Sequence, residues 1–144
     1  MKNKNVNRFI LLLKEEISAT RINYINQLLN GWYFSKKDIE FDPESNRLNI
    51  ALSKYSSTRK KDRHIINASL LFCDIKEFST ECKTPGIKAD EDDVFVFTQH
   101  AISFIKDQNI INLQSKSRKG IKYGIFLKLN NINFQFEHIN TSQS

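Results

Sequence analysis

The chain has few of the residues that define several common classes of protein. Among its 144 residues there are only two cysteines, Cys73 and Cys82. A small secreted fold held by disulfide bonds needs more cysteines than this, and the spacing of these two matches no common zinc motif. The two thiols are therefore expected to be reduced, as they are in a cytoplasmic protein.

Clustered glycines and long apolar runs are also missing. The four glycines stand apart from one another, so no glycine-rich loop can cradle a phosphate group. The chain likewise has no nucleophile elbow and no His-Glu metal motif. Near the amino end, the apolar run covers only residues 9–13 before Lys14, which is too short for a signal peptide or a membrane span. These absences predict a cytoplasmic protein with no membrane partner.

The composition is that of an ordinary globular protein, with 40% hydrophobic, 11% aromatic and 26% charged residues. We expect one domain over residues 1–139 and a loose tail over residues 140–144. The formal net charge is +6. Residues 1–72 contain 13 basic and 7 acidic residues, whereas residues 73–144 contain 9 of each, so the first half carries the whole excess. This asymmetry points to an acidic partner or a nucleic acid, although solubility alone is an equally adequate cause.

Apolar residues recur at helical spacing near the amino end. They predict a helix over about residues 5–29, followed by a sheet-rich part over about residues 32–139. Asn30 and Gly31 suit the end of this helix, because both tolerate the left-handed backbone conformation. The aromatic cluster 32–34 comes next. It either packs the helix against the sheet or forms a binding surface, and we favour packing.

Further along the chain, the apolar period changes to two. Alternation predicts a hairpin with strands at 39–41 and 48–52, joined by the turn sequence "DPESN". The run 65–78 suits a more fully buried strand, and we interpret residues 79–93 as a connection. Residues 94–107 fit either a strand that leads into a short helix or a single helix.

The clearest alternation lies at the carboxyl end. Apolar residues alternate over residues 121–129 and again over residues 132–136, with Asn130 and Asn131 between the two segments. Asparagine tolerates the positive φ that a type I′ turn requires at both central positions, so we predict a terminal hairpin. Together the patterns predict an α+β fold in which an N-terminal helix packs on an antiparallel β-sheet of about five to seven strands. Whether the sheet curls into a half-barrel or a sandwich is left open.

Two basic loops, 54–64 and 115–122, are candidate binding sites. If both emerge at the same end of the sheet, they form one positive patch able to contact several phosphates. Tyr55 and Tyr123 beside them are the only candidates for stacking on bases. Plain solvated loops are the alternative, since Lys and Arg at a hairpin tip also discourage association of strand edges. The candidate residues are Arg59, Lys60, Lys61, Arg63, Lys116, Arg118 and Lys119.

An acidic run over residues 90–93 offers four adjacent carboxylates. A calcium loop spaces its ligands at alternate positions around a glycine, and this run has neither feature. It is either a solvated loop or a charged patch that faces a basic partner. Its residues are Asp90, Glu91, Asp92 and Asp93.

The three histidines, His64, His100 and His138, lie 36 and 38 residues apart and can meet only through the fold. Histidine titrates in the range that catalysis needs, but no motif connects these three to one another or to a carboxylate. We therefore predict no catalytic residue, no metal site and no cofactor.

The layout resembles a known class of proteins. A leading helix is followed by "DIEFDPESNRLNIAL", by "LLFCDIKEF" and by "KYGIFLKLNNINFQFEHI". Over roughly residues 32–139 this is similar to the sheet-rich immunity proteins that protect bacteria from polymorphic toxins, including contact-dependent growth-inhibition toxins. The resemblance implies a small cytoplasmic protein that has no catalytic residues and whose sheet and charged loops dock on a toxin domain.

This chain departs from that class in its charge. Many immunity proteins are acidic because their nuclease toxins are basic, whereas this chain carries +6. The difference indicates another class of toxin or places the binding surface at the acidic run 90–93. We therefore expect a non-catalytic protein-binding protein, an immunity protein for a cognate toxin. The alternative is a nucleic-acid-binding module that uses loops 54–64 and 115–122.

Overall fold

The computed structural model describes residues 6–13, 19–55, 61, 63–130 and 134–141. These residues form one α-helix and ten β-strands in a single antiparallel sheet, which confirms the α+β class. Within this part of the chain, no helix has the length and the apolar character needed to cross a membrane. The elements are β1 (Val6–Leu13), α1 (Ala19–Leu29), β2 (Tyr33–Ser35), β3 (Ile39–Asp42), β4 (Arg47–Tyr55), β5 (Ile65–Phe72), β6 (Ile75–Cys82), β7 (Val94–Ile105), β8 (Ile110–Ser117), β9 (Lys122–Leu129) and β10 (Phe134–Thr141).

The strands follow the order β1-β10-β5-β4-β2-β7-β8-β9-β6, and β3 pairs with β4 outside this path. The sheet has more strands than the five to seven predicted, in part because the run 65–78 is divided between β5 and β6. Asp74 lies at the break with a φ of +56°, a left-handed conformation that turns the chain. Strand β6 then continues to Cys82, so the predicted connection 79–93 begins only after that residue.

The predicted helix over residues 5–29 is wrong in its first part. Residues 6–13 form β1, which pairs with β10 along its whole length, and α1 begins only at Ala19. The apolar run in this segment is compatible with both the helical period of 3.6 and the strand period of two. Its ladder with β10 makes it a strand. Residues 5 and 14–18 lie outside the described residues. The predicted end of the helix is confirmed, because Gly31 follows α1 with a φ of +90°.

The predicted terminal hairpin is also wrong. Both of its strands exist, as β9 and β10, but they are not neighbours. Strand β9 pairs with β6 on one side and β8 on the other, so it has no free edge for β10, which pairs with β1 and β5 instead. Asn131 lies outside the described residues. The predicted loose tail is wrong at Asn140 and Thr141, which pair with β1, while residues 142–144 are not described.

The predicted hairpin at 39–52 is confirmed, with Ile39 opposite Ile50 and Asp42 opposite Arg47. Residues 94–107 form a strand to Ile105 and then a single 3₁₀ turn, which is nearer to the first of the two alternatives.

Strand β7 contains a large bulge. Its residue Phe97 lies opposite Ser115, but the next ladder pair is Ile102 with Leu113. Five steps on β7 therefore correspond to two steps on β8, so β7 carries three extra residues at this point. Bulges of this kind redirect side chains and are common near binding sites.

The sheet curls around an aromatic core without closing. Phe34 lies at the centre of this core, with its ring 5.1 Å from that of Phe97. Phe41 of β3 stacks on Phe78 of β6 at 5.1 Å, so the last strand of the sheet order lies against β3 through side chains. Trp32 is buried and packs edge-on to Phe136 at 5.7 Å. The burial of Trp32 and Phe34 confirms the predicted packing role for these two residues, whereas Tyr33 between them is half-buried.

Candidate protein-binding surface

The strand directions separate the two basic loops. Ser53, Tyr33, Val96 and Lys116 lie in one row across β4, β2, β7 and β8. Each of the three steps along this row is antiparallel, so β4 and β8 run in opposite directions. The loop after β4 therefore leaves the sheet in one strand direction, at what we call the β4–β5 end, and the loop after β8 leaves it in the opposite direction, at the β8–β9 end. The condition for a single basic patch, that both loops emerge at the same end, is not met.

An exposed cluster lies at the β4–β5 end. Tyr55 and Ile65 are directly opposite each other in the ladder and are 51% and 53% exposed. The guanidinium carbon of Arg63 lies 4.9 Å from the centre of the Tyr55 ring, a cation–π geometry. The Tyr33 ring lies 6.1 Å from the Tyr55 ring. We call Tyr33, Tyr55, Arg63 and Ile65 the tyrosine patch.

Lys54 and Lys61 are near the tyrosine patch in the sequence, but Lys54 lies on the opposite face of β4 from Tyr55. The Nζ atom of Lys54 lies 5.6 Å from the centre of the Trp32 ring and 3.5 Å from the carbonyl oxygen of Asn30. Lys61 is exposed in the same loop. Arg59 and Lys60, two other residues predicted for this site, lie outside the described residues. Partial burial and the neighbouring phenol of Tyr55 raise the pKa of Tyr33 above its usual value.

The β8–β9 end brings the acidic run and the second basic loop together. The N–H of Asp90 donates to a carboxylate oxygen of Asp93 at 2.8 Å, and the N–H of Asp93 donates to the carbonyl oxygen of Asp90 at 3.2 Å. The Nζ atom of Lys119 lies 4.0 Å from the other carboxylate oxygen of Asp93. Lys36 donates to the carbonyl oxygen of Ala89 at 3.3 Å. The charges at this end are therefore mixed and partly satisfied within the chain. Glu91 and Asp92 belong to the acidic run, Lys116 and Arg118 belong to the second basic loop, and all four are exposed.

The burial of Tyr123 affects the nucleic-acid alternative. Its ring is 4% exposed and stacks on Phe95 at 4.7 Å, so it belongs to the core and cannot stack on a base. Of the two predicted stacking candidates, only Tyr55 is at the surface.

A cavity around Gly124 was not predicted from the sequence. It has a volume of about 310 Å³ and lies on the outer face of the sheet, where the glycine has no side chain to fill it.

A further feature, also not predicted, is a polar cavity of about 410 Å³ between α1 and the bulge of β7. Four of its residues lie on α1 or directly after it at spacings of three and four, which places them on one face of a helix. This stripe of amides in "NYINQLLN" is the sequence signal that could have revealed the site. We call this cavity the amide pocket, and its lining residues are Asn23, Asn26, Gln27, Asn30, Gln99 and His100.

Asn26 holds α1 against β7 within this pocket. The N–H of Ile102 donates to its Oδ1 at 2.8 Å, and its Nδ2 donates to the carbonyl oxygen of Ile102 at 3.4 Å. Strand β2 pairs with β7 only up to Val96, and the backbone contacts with residues 31 and 32 end at Phe97. Beyond the bulge, the side chain of Asn26 therefore occupies the hydrogen-bonding position that a neighbouring strand would fill.

The histidines do not come together with other ligands in the described residues. His64 is exposed at the β4–β5 end, His100 lines the amide pocket, and the backbone of His138 pairs with β1 and β5. Among the residues that the structure describes, no three His, Cys, Asp or Glu side chains lie close enough to hold a metal ion.

No family model matches the chain, and no curated protein or solved structure is significantly similar to it. The likeness to immunity proteins therefore remains a resemblance of pattern.

Proposed function

We propose that this chain is a non-catalytic protein-binding protein, and specifically a cytoplasmic immunity protein that binds and neutralises a bacterial toxin domain. The tyrosine patch is the observation that carries the proposal. It combines two side chains that are more than half exposed with an arginine whose guanidinium lies over an aromatic ring.

The composition of the tyrosine patch is typical of the centre of a protein interface. Tyrosine and arginine are enriched among the residues that dominate binding energies, because each combines a large contact area with specific hydrogen bonds. Tyr55 and Ile65 form a continuous apolar surface, since opposed residues in an antiparallel ladder have their Cβ atoms about 4.5–5.5 Å apart. A single exposed apolar residue is common on protein surfaces and does not by itself indicate a binding site. In the described part of the chain, the other exposed large apolar residues are Tyr24, Phe41, Ile87, Val94 and Ile105.

Charge supports an acidic partner surface at this site. Arg63 belongs to the tyrosine patch, Lys61 is exposed in the same loop, and the first half of the chain carries the whole excess of positive charge. An acidic region on the toxin would be steered toward this end, because complementary charges accelerate the encounter. The charge also accounts for the departure from acidic immunity proteins, whose nuclease toxins are basic. Neutralisation then requires only that the bound chain cover the toxin's active site or substrate surface.

A growth assay tests the proposal. The reading frame next to this gene would be expressed as the toxin, with and without this chain, and the affinity of the complex would be measured by calorimetry. The double variant Tyr55→Ala and Ile65→Ala should lose protection, since a central anchor contributes about 2 kcal/mol or more, which is roughly a thirtyfold change in Kd.

The matched control is Tyr24→Ala with Ile87→Ala, which removes the same residue types at 46% and 47% exposure from other surfaces. It should protect as well as the unaltered chain. If both double variants protect equally and bind with equal Kd, the tyrosine patch is not the interface. If no adjacent reading frame is toxic, the immunity function itself is contradicted.

A further inference from the structure

The amide pocket has hydrogen-bonding groups and almost no charge. Five of its six lining residues are Asn or Gln, and its one ionisable residue is His100. The side chains of Asn23, Gln27 and Gln99 make no hydrogen bond to any other residue that the structure describes. Within the described part of the chain, the wall offers no carboxylate, lysine or arginine to pair with a charged ligand, so its chemistry suits an uncharged ligand.

Asn26 shows inside the pocket what these amides can bind. Its carboxamide accepts from the N–H of Ile102 and donates to the carbonyl oxygen of the same residue. Every non-proline residue of a polypeptide presents this pair of one donor and one acceptor. A carboxamide is complementary to it, because it also carries a donor and an acceptor side by side.

The spacing of the stripe also matches a polypeptide. Asn23 and Gln27 are one helical turn apart, which is about 6 Å along the axis at about 1.5 Å per residue. In an extended chain, alternate residues point to the same side and lie about 6.6 Å apart at about 3.3 Å per residue. Successive amides on α1 can therefore reach alternate backbone groups of one extended segment.

We propose that the amide pocket binds an extended, uncharged segment of a partner polypeptide through its backbone. The proposal rests on the proposed function, since it assigns a second contact to the same partner. Sugars and nucleobases also pair with amides, and the imidazole of His100 offers one ring for stacking, so both are competing ligands in the test.

A peptide titration observed by NMR tests this inference without the toxin. The probe is a tetra-alanine peptide capped by an acetyl group and an N-methylamide, added to ¹⁵N-labelled protein while the side-chain NH2 signals of Asn23, Gln27 and Gln99 are followed. We expect saturable shifts of these signals. The double variant Asn23→Ala and Gln27→Ala should weaken binding about tenfold, which corresponds to about 1.4 kcal/mol. The control Gln114→Ala removes an exposed amide of β8 outside the pocket and should change nothing.

Ligand controls identify the occupant. A peptide of the same sequence with N-methylated backbone amides should bind about tenfold more weakly, because it lacks the donors. Absence of shifts, equal binding by the double variant, or shifts produced only by methyl glucoside or adenosine would each overturn the proposal. The growth assay tests the immunity function separately, so a chain that protects without binding the peptide refutes only this inference. A chain that binds the peptide without protecting refutes only the immunity function.

Discussion

Replacing Asn26 with alanine should destabilise the protein far more than replacing its neighbours on the same helix. Asn26 is 8% exposed, and Ile102, whose backbone it contacts, is 2% exposed. The alanine variant leaves the buried N–H of Ile102 without its partner at 2.8 Å and its carbonyl oxygen without a weaker partner at 3.4 Å. Ile102 is nearly inaccessible to water while Asn26 covers it, but the alanine variant opens it to the amide pocket, so water replaces part of the lost hydrogen bonding and the expected cost is an upper range.

The magnitude follows from these two groups. An unsatisfied buried donor costs about 1–3 kcal/mol, and loss of the longer bond adds about 0.5 kcal/mol, so we expect a total of about 1.5–3.5 kcal/mol. For a chain of about this length, each kcal/mol lowers Tm by about 2–4 °C, which gives a fall of roughly 3–14 °C. The variant Asn26→Asp should also be destabilised at neutral pH, since it keeps the acceptor but loses the donor.

Urea denaturation followed by circular dichroism measures the effect, with an unchanged m value as the condition for comparing free energies. Asn23→Ala and Gln27→Ala are the controls, because both residues are exposed on α1 and should change stability by less than about 0.5 kcal/mol. Hydrogen exchange should also become faster at the amide of Ile102 in the Asn26 variant. If Asn26→Ala is as stable as the two controls, α1 is not held to β7 by this side chain and the reasoning is refuted.

Three further predictions concern other parts of the sheet. A Cβ added at Gly124 would come within 2.6 Å of the Cε atom of Lys83. Because the Lys83 side chain is flexible and can move away, Gly124→Ala should change the free energy of unfolding by less than about 1 kcal/mol. A larger loss in urea denaturation would contradict this. The raised pKa of Tyr33 means that the folded state favours the protonated phenol, so its contribution is complete below the unfolded pKa of about 10 and is lost as pH rises through the folded pKa. Alkaline denaturation should therefore be less steep for Tyr33→Phe. Fluorescence anisotropy with a generic single-stranded RNA should show no measurable binding at physiological salt; affinity that falls steeply as salt increases would favour the nucleic-acid alternative.

The sequence patterns identified most of the strands but few of the pairings between strands. Alternation placed β9 and β10 nearly where they occur, yet it suggested that they pair, whereas β9 pairs with β6 and β8. Side-chain alternation reports which residues share a face, and it carries no information on which strand lies alongside. Strands that are neighbours along the chain pair in four cases, β3–β4, β4–β5, β7–β8 and β8–β9, and the 39–52 hairpin is the one of these that the alternation predicted.

For the candidate site too, the sequence predicted some features and only the fold decided the others. The sequence located both basic loops and the acidic run, because charge is read directly from residue types. The registers then separated the loops and placed the acidic run beside Lys119. Tyr55 was recognised at one loop, but Ile65 became its neighbour only through the β4–β5 ladder. The amide pocket needed the bulge of β7, which no local pattern predicts.

The amino-acid sequence by itself determined the α+β class, the end of the helix at Gly31, the burial of Trp32 and Phe34 after it and most of the segments that form strands. These properties depend on local conformational preference and on the period of apolar residues, which act within a few positions along the chain. The tertiary structure decided that residues 6–13 are a strand, which strands are neighbours and which charged loops lie at the same end of the strands. Backbone donors and acceptors are the same in every strand, so any two strands can form a ladder, and the choice among them follows from burying the whole apolar face of the curled sheet at once.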